Sequence, residues 1–281
     1  MAAAWFARVP LRIHTFTGQV WATRKNPTRA MLRAIDSLIA RFATHVLVDS
    51  RSQREFLIAN RVVAASKSMV LAEGSICGVD GERFRPDRAA RGRVRTALGV
   101  PEDAVLFLYL GRVSRDKGVL DLAAAFATLA ARNPSAYLLV AGPDEEGLRP
   151  QMQALLATCV DRVHWSDYTE RPEDTMAAAD VFCLPSYREG FGQVAVEASA
   201  AELPVIASRI YGVTDAVVEG ETGLFHAPGD VEALSERMQT LIEHPEMRRS
   251  LGSAGRARVL REFSAERVTR ALLDYYSDLL R

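Results

Sequence analysis

From residue 105 onward the chain alternates short apolar runs with stretches of helical periodicity, and that alternation limits it to few folds. Val105–Leu110 and Ala136–Ala141 read as strands. Between them, residues 118–132 place Val119, Leu122, Ala123, Phe126, Leu129 and Ala130 on one helical face. Helix is expected over 146–158, strand over 162–165, a short helix over 173–179 and strand over 180–184. Helix follows over about 192–201, then strands at 204–207 and Gly223–His226. Strands separated by helices pair in parallel through crossovers, giving an open doubly wound sheet covered on both faces. The remainder reads as three helices: Val231–Glu243 capped by Asp230, Pro245 to Arg261 with proline in the first turn, and Ser264 to Leu280.

The first 86 residues carry fewer elements. Strands are expected at 11–15, His45–Val48 and 68–71, with helices at 27–42 and 52–60. A boundary is expected at Arg83-Phe84-Arg85-Pro86 and the charged stretch from Asp87 to Arg95. This gives units of 1–86 and 87–262, with a last helix over 263–281.

Composition narrows the partners. Hydrophobic residues make 48% of 281, enough for a sizeable core, and the formal charge is zero, against a general nucleic-acid or polyanion binder. Cysteines at 77, 159 and 183 lack metal-ligand spacing and suit a reducing compartment; Cys183, inside Val181-Phe182-Cys183-Leu184, reads as core. No stretch approaches a spanning length, and Met1 to Phe6 makes a poor signal peptide, so a cytoplasmic protein is expected, with peripheral attachment to a membrane left open.

Two clusters follow strands and precede helices, where open parallel sheets bind ligands. In Gly111-Arg112-Val113-Ser114-Arg115-Asp116-Lys117-Gly118, two cations five residues apart suit a diphosphate; the alternative is a solvated basic turn. The Gly-Lys-Ser/Thr ending of a P-loop is absent. In the run from Pro185 to Glu197, the N–H groups of 190–193 would be free at a helix start to donate to phosphate or sugar oxygens. Glu189 and Glu197 could accept from vicinal hydroxyls; alternatively Glu189 complements the helix dipole and Glu197 is solvated. The fingerprint Gly190-x-Gly192-x-x-Ala195 follows a late strand rather than the first of the domain, and its acidic neighbours Glu189 and Glu197 flank it closely, which argues against a dinucleotide site.

Together the clusters resemble the retaining GT-B glycosyltransferases of the bacterial lipopolysaccharide and exopolysaccharide type. The likeness rests on the Gly-Arg…Lys-Gly turn, on Ala179-Asp180-Val181-Phe182 with Pro185-Ser186, and on Glu189 and Glu197 spaced as Glu-x7-Glu. Glu202-Leu203-Pro204-Val205-Ile206-Ala207 and Glu219-Gly220-Glu221-Thr222-Gly223-Leu224 extend it. It implies an α/β fold of GT-B type: a complete C-terminal doubly wound, Rossmann-like domain and a partial N-terminal Rossmann-like domain onto which the last helix crosses back. Gly111, Arg112 and Lys117 would hold the donor diphosphate. Glu189 with the backbone of Gly190, Phe191 and Gly192 would hold the sugar, Glu197 the ribose, and Ser166 to Tyr168 would lie by the base. Arg112, Lys117 and Glu189 are the candidate catalytic residues.

The resemblance further implies transfer of a hexose or N-acetylhexosamine, UDP-linked, to a lipid-linked or growing glycan acceptor. Configuration would be retained by front-face displacement, without protein nucleophile, cofactor or metal. Asp-x-Glu at Asp80, Asp144 and Asp230 reads as surface loop.

The segment from Arg12 to Trp21 resembles the part of the family that faces the donor sugar, so His14, Thr17 and Gly18 are candidates to face sugar or acceptor. Where many relatives place a histidine before the glycine, this chain has Thr17, and that histidine's role does not carry over to His14, which also reads as a strand-end residue. Val48-Asp49-Ser50 and Ser52-Gln53-Arg54 match a segment facing the interdomain cleft. Gly78-Val79-Asp80 matches the connection, with Gly78 in a turn of positive φ. Part of the N-terminal sheet domain is expected to be missing before Met1, whether by fragmentation, a misplaced start or natural loss. Two readings therefore stand beside transfer: a non-catalytic nucleotide-binding remnant, and a nucleotide-sugar epimerase of the same fold.

Overall fold

The computed structural model describes residues 1–25 and 27–281. Its strands form two parallel sheets. The smaller contains β1 (Ile13–Phe16), β2 (His45–Val48) and β3 (Ser68–Met69), in that order. The third strand is shorter than the run 68–71 suggests. Helices α1 (Ala2–Phe6), α2 (Thr28–Phe42) and α3 (Arg51–Ala59) accompany this sheet. Ser50 caps α3 by accepting from the N–H of Gln53.

The larger sheet has six strands in the order β6-β5-β4-β7-β8-β9. These are β4 (Val105–Leu110), β5 (Ala136–Ala141), β6 (Val163–Ser166), β7 (Val181–Leu184), β8 (Val205–Ser208) and β9 (Gly223–His226). Every neighbouring pair is parallel. The order runs outward from β4 in one direction and from β7 in the other, so the strand order reverses between these two, at the switch point of a doubly wound sheet.

Side chains alternate across each strand, so both faces need cover. Val105, Phe107 and Tyr109 of β4 point to one core, shared with Leu122, Phe126 and Leu129 of α5 (Val119–Ala130) and Leu234, Met238 and Leu241 of α10 (Val231–Glu243). Leu106 and Leu108 point to the other. There they meet Met176 of α7 (Pro172–Ala178), Val196 of α8 (Gln193–Ala200) and Val259 of α11 (Pro245–Glu262). Short helices α6 (Arg149–Leu155) and α9 (Val213–Ala216) complete this unit. Cys183 is fully buried in the α5 core.

The charged stretch from Asp87 to Arg95 is mostly helix, α4 (Arg88–Leu98), capped by Asp87 and closed by Gly99. It packs on α7 as part of the larger unit. Arg95 is 1% exposed, and its guanidinium is held by Asp180 at 3.0 Å and by the carbonyls of Ala178 and Ala104. Arg91 bonds the other Asp180 oxygen at 3.0 Å. Charge alone suggests a solvated linker; here it is neutralised inside a helix–sheet contact.

Two strands of chain join the units side by side. Val79 donates to Phe263 and accepts from Ala265, just before and at the start of α12 (Ala265–Leu279). Gly78 has φ +68°. Further along α12, Tyr275 meets the ring of His45 at the start of β2. The apolar stripe of α12 thus reaches the small sheet, although Leu273 and Leu280 stay exposed.

Candidate functional site

β4 and β7 carry the two signature turns, and their adjacency brings 111–118 beside 185–192. The N–H of Tyr187 donates to the Asp116 carbonyl at 2.8 Å, and Arg188 pairs with the Asp116 carboxylate at 2.9 Å. Gly118 sits directly against the Pro185 carbonyl with φ +68°, so any side chain there would overlap backbone.

Across this joint the Lys117 ammonium reaches Glu189 Oε1 at 2.6 Å, and the Ser186 hydroxyl donates to the same oxygen at 2.8 Å. The two charged side chains are only 20% and 13% exposed. One carboxylate oxygen and two of the three ammonium protons remain for a ligand. Among the described residues, the N–H groups of Gly190, Phe191, Gly192 and Gln193 have no acceptor; the last two are the N-cap and first residue of α8, where helix geometry leaves donors free. The Phe191 side chain is buried edge-on to Phe263.

The small sheet closes over this turn. Gly190 lies against the Thr17 carbonyl with no room for a side chain, and a methyl on Gly18 would stand 3.6 Å from the Gly190 nitrogen. Ser50 Oγ donates to the Gly190 carbonyl at 3.1 Å. Ser52 Oγ accepts from the N–H of Gly212 at 2.7 Å and bonds the Asp215 carboxylate. Trp21, Phe56 and Tyr211 stack in series, with centroids 5.1 and 4.3 Å apart, linking the units. A cavity of about 410 Å³ opens nearby, lined by Thr23 from one unit and by Arg115, Asp116, Asp121 and Tyr187 from the other.

Other candidates stand further out. Arg112 is largely exposed and pairs with Glu145 at 3.0 Å, at the rim between the β4 and β5 loops. Ser166 ends β6, and its carbonyl accepts from Gly142 at 2.7 Å. Tyr168 is 76% exposed. Glu197 belongs to a different neighbourhood. Gln193 Nε2 donates to it at 3.4 Å and to the Gly78 carbonyl at 2.8 Å. Burial raises the Glu197 carboxyl, opposed by the Gln193 bond and by Arg83. No hydrogen bond among the described residues links it to the Lys117–Glu189 pair.

His14 packs edge-on to Phe16, and burial lowers its pKa against the pull of Asp36. Thr17 and Gly18, not His14, are the residues of this segment that lie nearest Gly190. The three Asp-x-Glu aspartates serve local backbone: Asp80 accepts from Glu82 and Arg83, Asp144 from Leu148 and Arg149, and Asp230 from Ala233. No group of three or more potential metal ligands gathers among the described residues.

The sequence profile of the glycosyl transferases group 1 matches residues 91–258, the span that carries both turns. The chain belongs to this glycosyltransferase family. It is 30% identical to the capsular polysaccharide biosynthesis glycosyltransferase CapM of Staphylococcus aureus, over 99% of this chain and 73% of that protein. To the D-inositol 3-phosphate glycosyltransferase of Saccharomonospora viridis it is 36% identical, over 72% of this chain but 49% of the relative. Among solved structures, sucrose-phosphate synthase from Thermosynechococcus elongatus superposes with TM-score 0.83 at 30% identity, over 99% of this chain and 71% of that one. Anabaena Alr3699/HepE in complex with UDP gives 0.85 at 23% identity, covering 99% and 74%, a likeness of fold. The architecture is thus that of GT-B glycosyltransferases.

Gln19, Arg188, Tyr211 and Asp215 also line the junction and were not singled out by sequence. Arg188 lies inside the second turn and Gln19 beside Gly18, but their partners across the junction are distant in sequence; Tyr211 and Asp215 lie outside both turns, so local pattern carries no signal for these contacts.

Proposed function

We propose that the chain transfers a hexose or N-acetylhexosamine from a UDP-linked donor to a lipid-linked or growing glycan acceptor, with retention of configuration. The observation that carries this is the Lys117–Glu189 pair at the switch point, beside the unpaired N–H groups of 190–193 and under the loop at Thr17 and Gly18. The two remaining ammonium protons of Lys117 suit a diphosphate, and Arg112 would swing from Glu145 to add a second cation. Glu189 Oε2 and the helix-start N–H groups suit sugar hydroxyls. Glu197 would hold the ribose, and Ser166 to Tyr168 would flank the base.

In this reading the acceptor oxygen bonds to the anomeric carbon on the face from which the nucleotide leaves. The carbon–oxygen bond to phosphate breaks, and the acceptor proton passes to the departing phosphate oxygen. Lys117 and Arg112 neutralise the charge that develops there, which is the part of the barrier a protein lowers most. No metal is proposed. The relatives support the class: one is named for capsular polysaccharide biosynthesis, and one was solved with UDP. For an acceptor on lipid, the exposed Met31, Ile35 and Leu38 of α2, flanked by Arg29, Arg33 and Arg41, support peripheral contact with the cytoplasmic face of a membrane.

The test is a mass-spectrometric screen of UDP-sugars for hydrolysis and transfer, with the product anomer read by NMR. Release of UDP with an α-linked product from an α-linked donor is expected. Absence of UDP binding rejects the nucleotide reading, and an inverted product rejects retention.

A further inference from the structure

Asp49 is a buried acid with no part in the scheme above. It follows β2, the central strand of the small sheet, at its carboxyl end, the edge where open parallel sheets hold ligands. The residue is 5% exposed. Its backbone is fully engaged: the N–H donates to Gln53 Oε1 at 3.1 Å, and the carbonyl accepts from Ser75 at 2.8 Å. Neither carboxyl oxygen accepts a hydrogen bond from the described residues. Oδ2 stands 3.2 Å from where a Cβ on Gly190 would be, so the carboxyl faces the turn that carries Glu189.

Gln19 supplies a second, independent observation. It is 0% exposed and follows Gly18 in the loop over Gly190. Gln53 Nε2 donates to its Oε1 at 3.2 Å, while the other side of the Gln19 amide has no partner among the described residues. Gln53 therefore ties Asp49 and Gln19 into one wall of the junction, each left with hydrogen-bonding capacity. Buried polar groups are rarely left so without a purpose.

We propose that Asp49 and Gln19 form a subsite for hydroxyl groups of the transferred sugar, the carboxylate accepting and the amide donating. The inference rests on the donor reading above and names how the small sheet takes part in it. Neighbouring hydroxyls of a hexose each donate and accept, which matches one acceptor and one donor. Phosphate does not match, because it would face the Asp49 carboxylate. With Glu189 on the opposite side of the turn, the sugar is gripped from both units while the nucleotide is held by one.

Calorimetric titration of the full chain with UDP and with UDP-glucose, UDP-galactose and UDP-N-acetylglucosamine tests this, comparing the unaltered protein with Asp49→Asn and Gln19→Leu. Both variants are expected to keep their affinity for UDP. Both should lose about tenfold of the preference for the best UDP-sugar over UDP. A donor lacking the contacted hydroxyl should show that loss in the unaltered protein and no further loss in Asp49→Asn. Unchanged UDP-sugar affinity in Asp49→Asn, or equal loss of UDP and UDP-sugar, overturns the subsite. An altered acceptor KM with donor affinity intact overturns it too, by moving Asp49 to the acceptor. Failure of the unaltered chain to bind UDP overturns the donor reading, and the subsite with it.

Discussion

The Lys117 ammonium and the Glu189 carboxylate meet at 2.6 Å although 72 residues separate them in the chain. The contact exists because β4 and β7 are neighbours, and each side chain sits in the turn after its strand. An ion pair that leaves two N–H groups and one carboxylate oxygen unused is arranged to receive something polar between or beside its members.

Replacing Lys117 by Met should weaken UDP binding about ten- to a hundredfold, the value of one charge-assisted contact. Because the same change leaves Glu189 without its cation, Glu189→Gln is the control. Calorimetry on both separates loss of the phosphate contact from a merely disturbed turn: Lys117→Met alone should lose affinity for UDP.

Glu197 stands beside Gln193 and the connector at Gly78. If it reads ribose, Glu197→Ala should lose affinity for UDP far more than for an analogue lacking both ribose hydroxyls. Equal losses would assign it to seating the connector.

Arg95 and Asp180 hold α4 to the large sheet. Asp180 also accepts from the Leu106 N–H at 2.8 Å. Arg95→Ala leaves that carboxylate and several carbonyls without their buried partner and should cost about 3–5 kcal/mol in urea unfolding. Arg91 bonds the same carboxylate from a more exposed position, so Arg91→Ala should cost less.

Asp49 gives a stability signature distinct from its proposed ligand role. Burial pushes its carboxyl up to about 7, well above the usual carboxylate range. A raised acid favours the protonated form in the folded state. Its ionisation therefore costs nothing below the unfolded value, and the cost grows as pH rises toward 7. The Cys77 thiol is itself pushed up by burial and by Glu197 and Asp49, and so stays neutral across this range. Asp49→Asn should match the unaltered protein in thermal stability near pH 4. It should exceed it at pH 8 by on the order of 2–4 kcal/mol.

What sequence could reveal followed from local pattern. The strands of the large sheet were legible because buried parallel strands are short, continuous apolar runs, as in Val105–Leu110 and Val181–Leu184. Both signature turns were legible because each sets glycine beside charge directly after a strand. Less visible was anything set by distant contact. Arg95 reads as solvent-facing until Asp180 is placed beside it, and Glu197 reads as part of one motif with Glu189 until α8 turns it toward the connector. Asp49 was visible as part of a segment facing the cleft, but its missing partner is a property of the assembled junction alone.

The ring stack of Trp21, Phe56 and Tyr211 has a mechanical consequence. Phe56 and Tyr211 lie nearly parallel, 17° apart, one on each side of the junction. Flat faces in contact can slide with gradual loss of overlap, whereas the Ser50–Gly190 and Ser52–Asp215 hydrogen bonds break within a fraction of an ångström. Parting of the two units would thus begin as a sharp release and continue as a lubricated glide. The fully buried Trp21 at the end of the stack would report that glide as a change in its fluorescence.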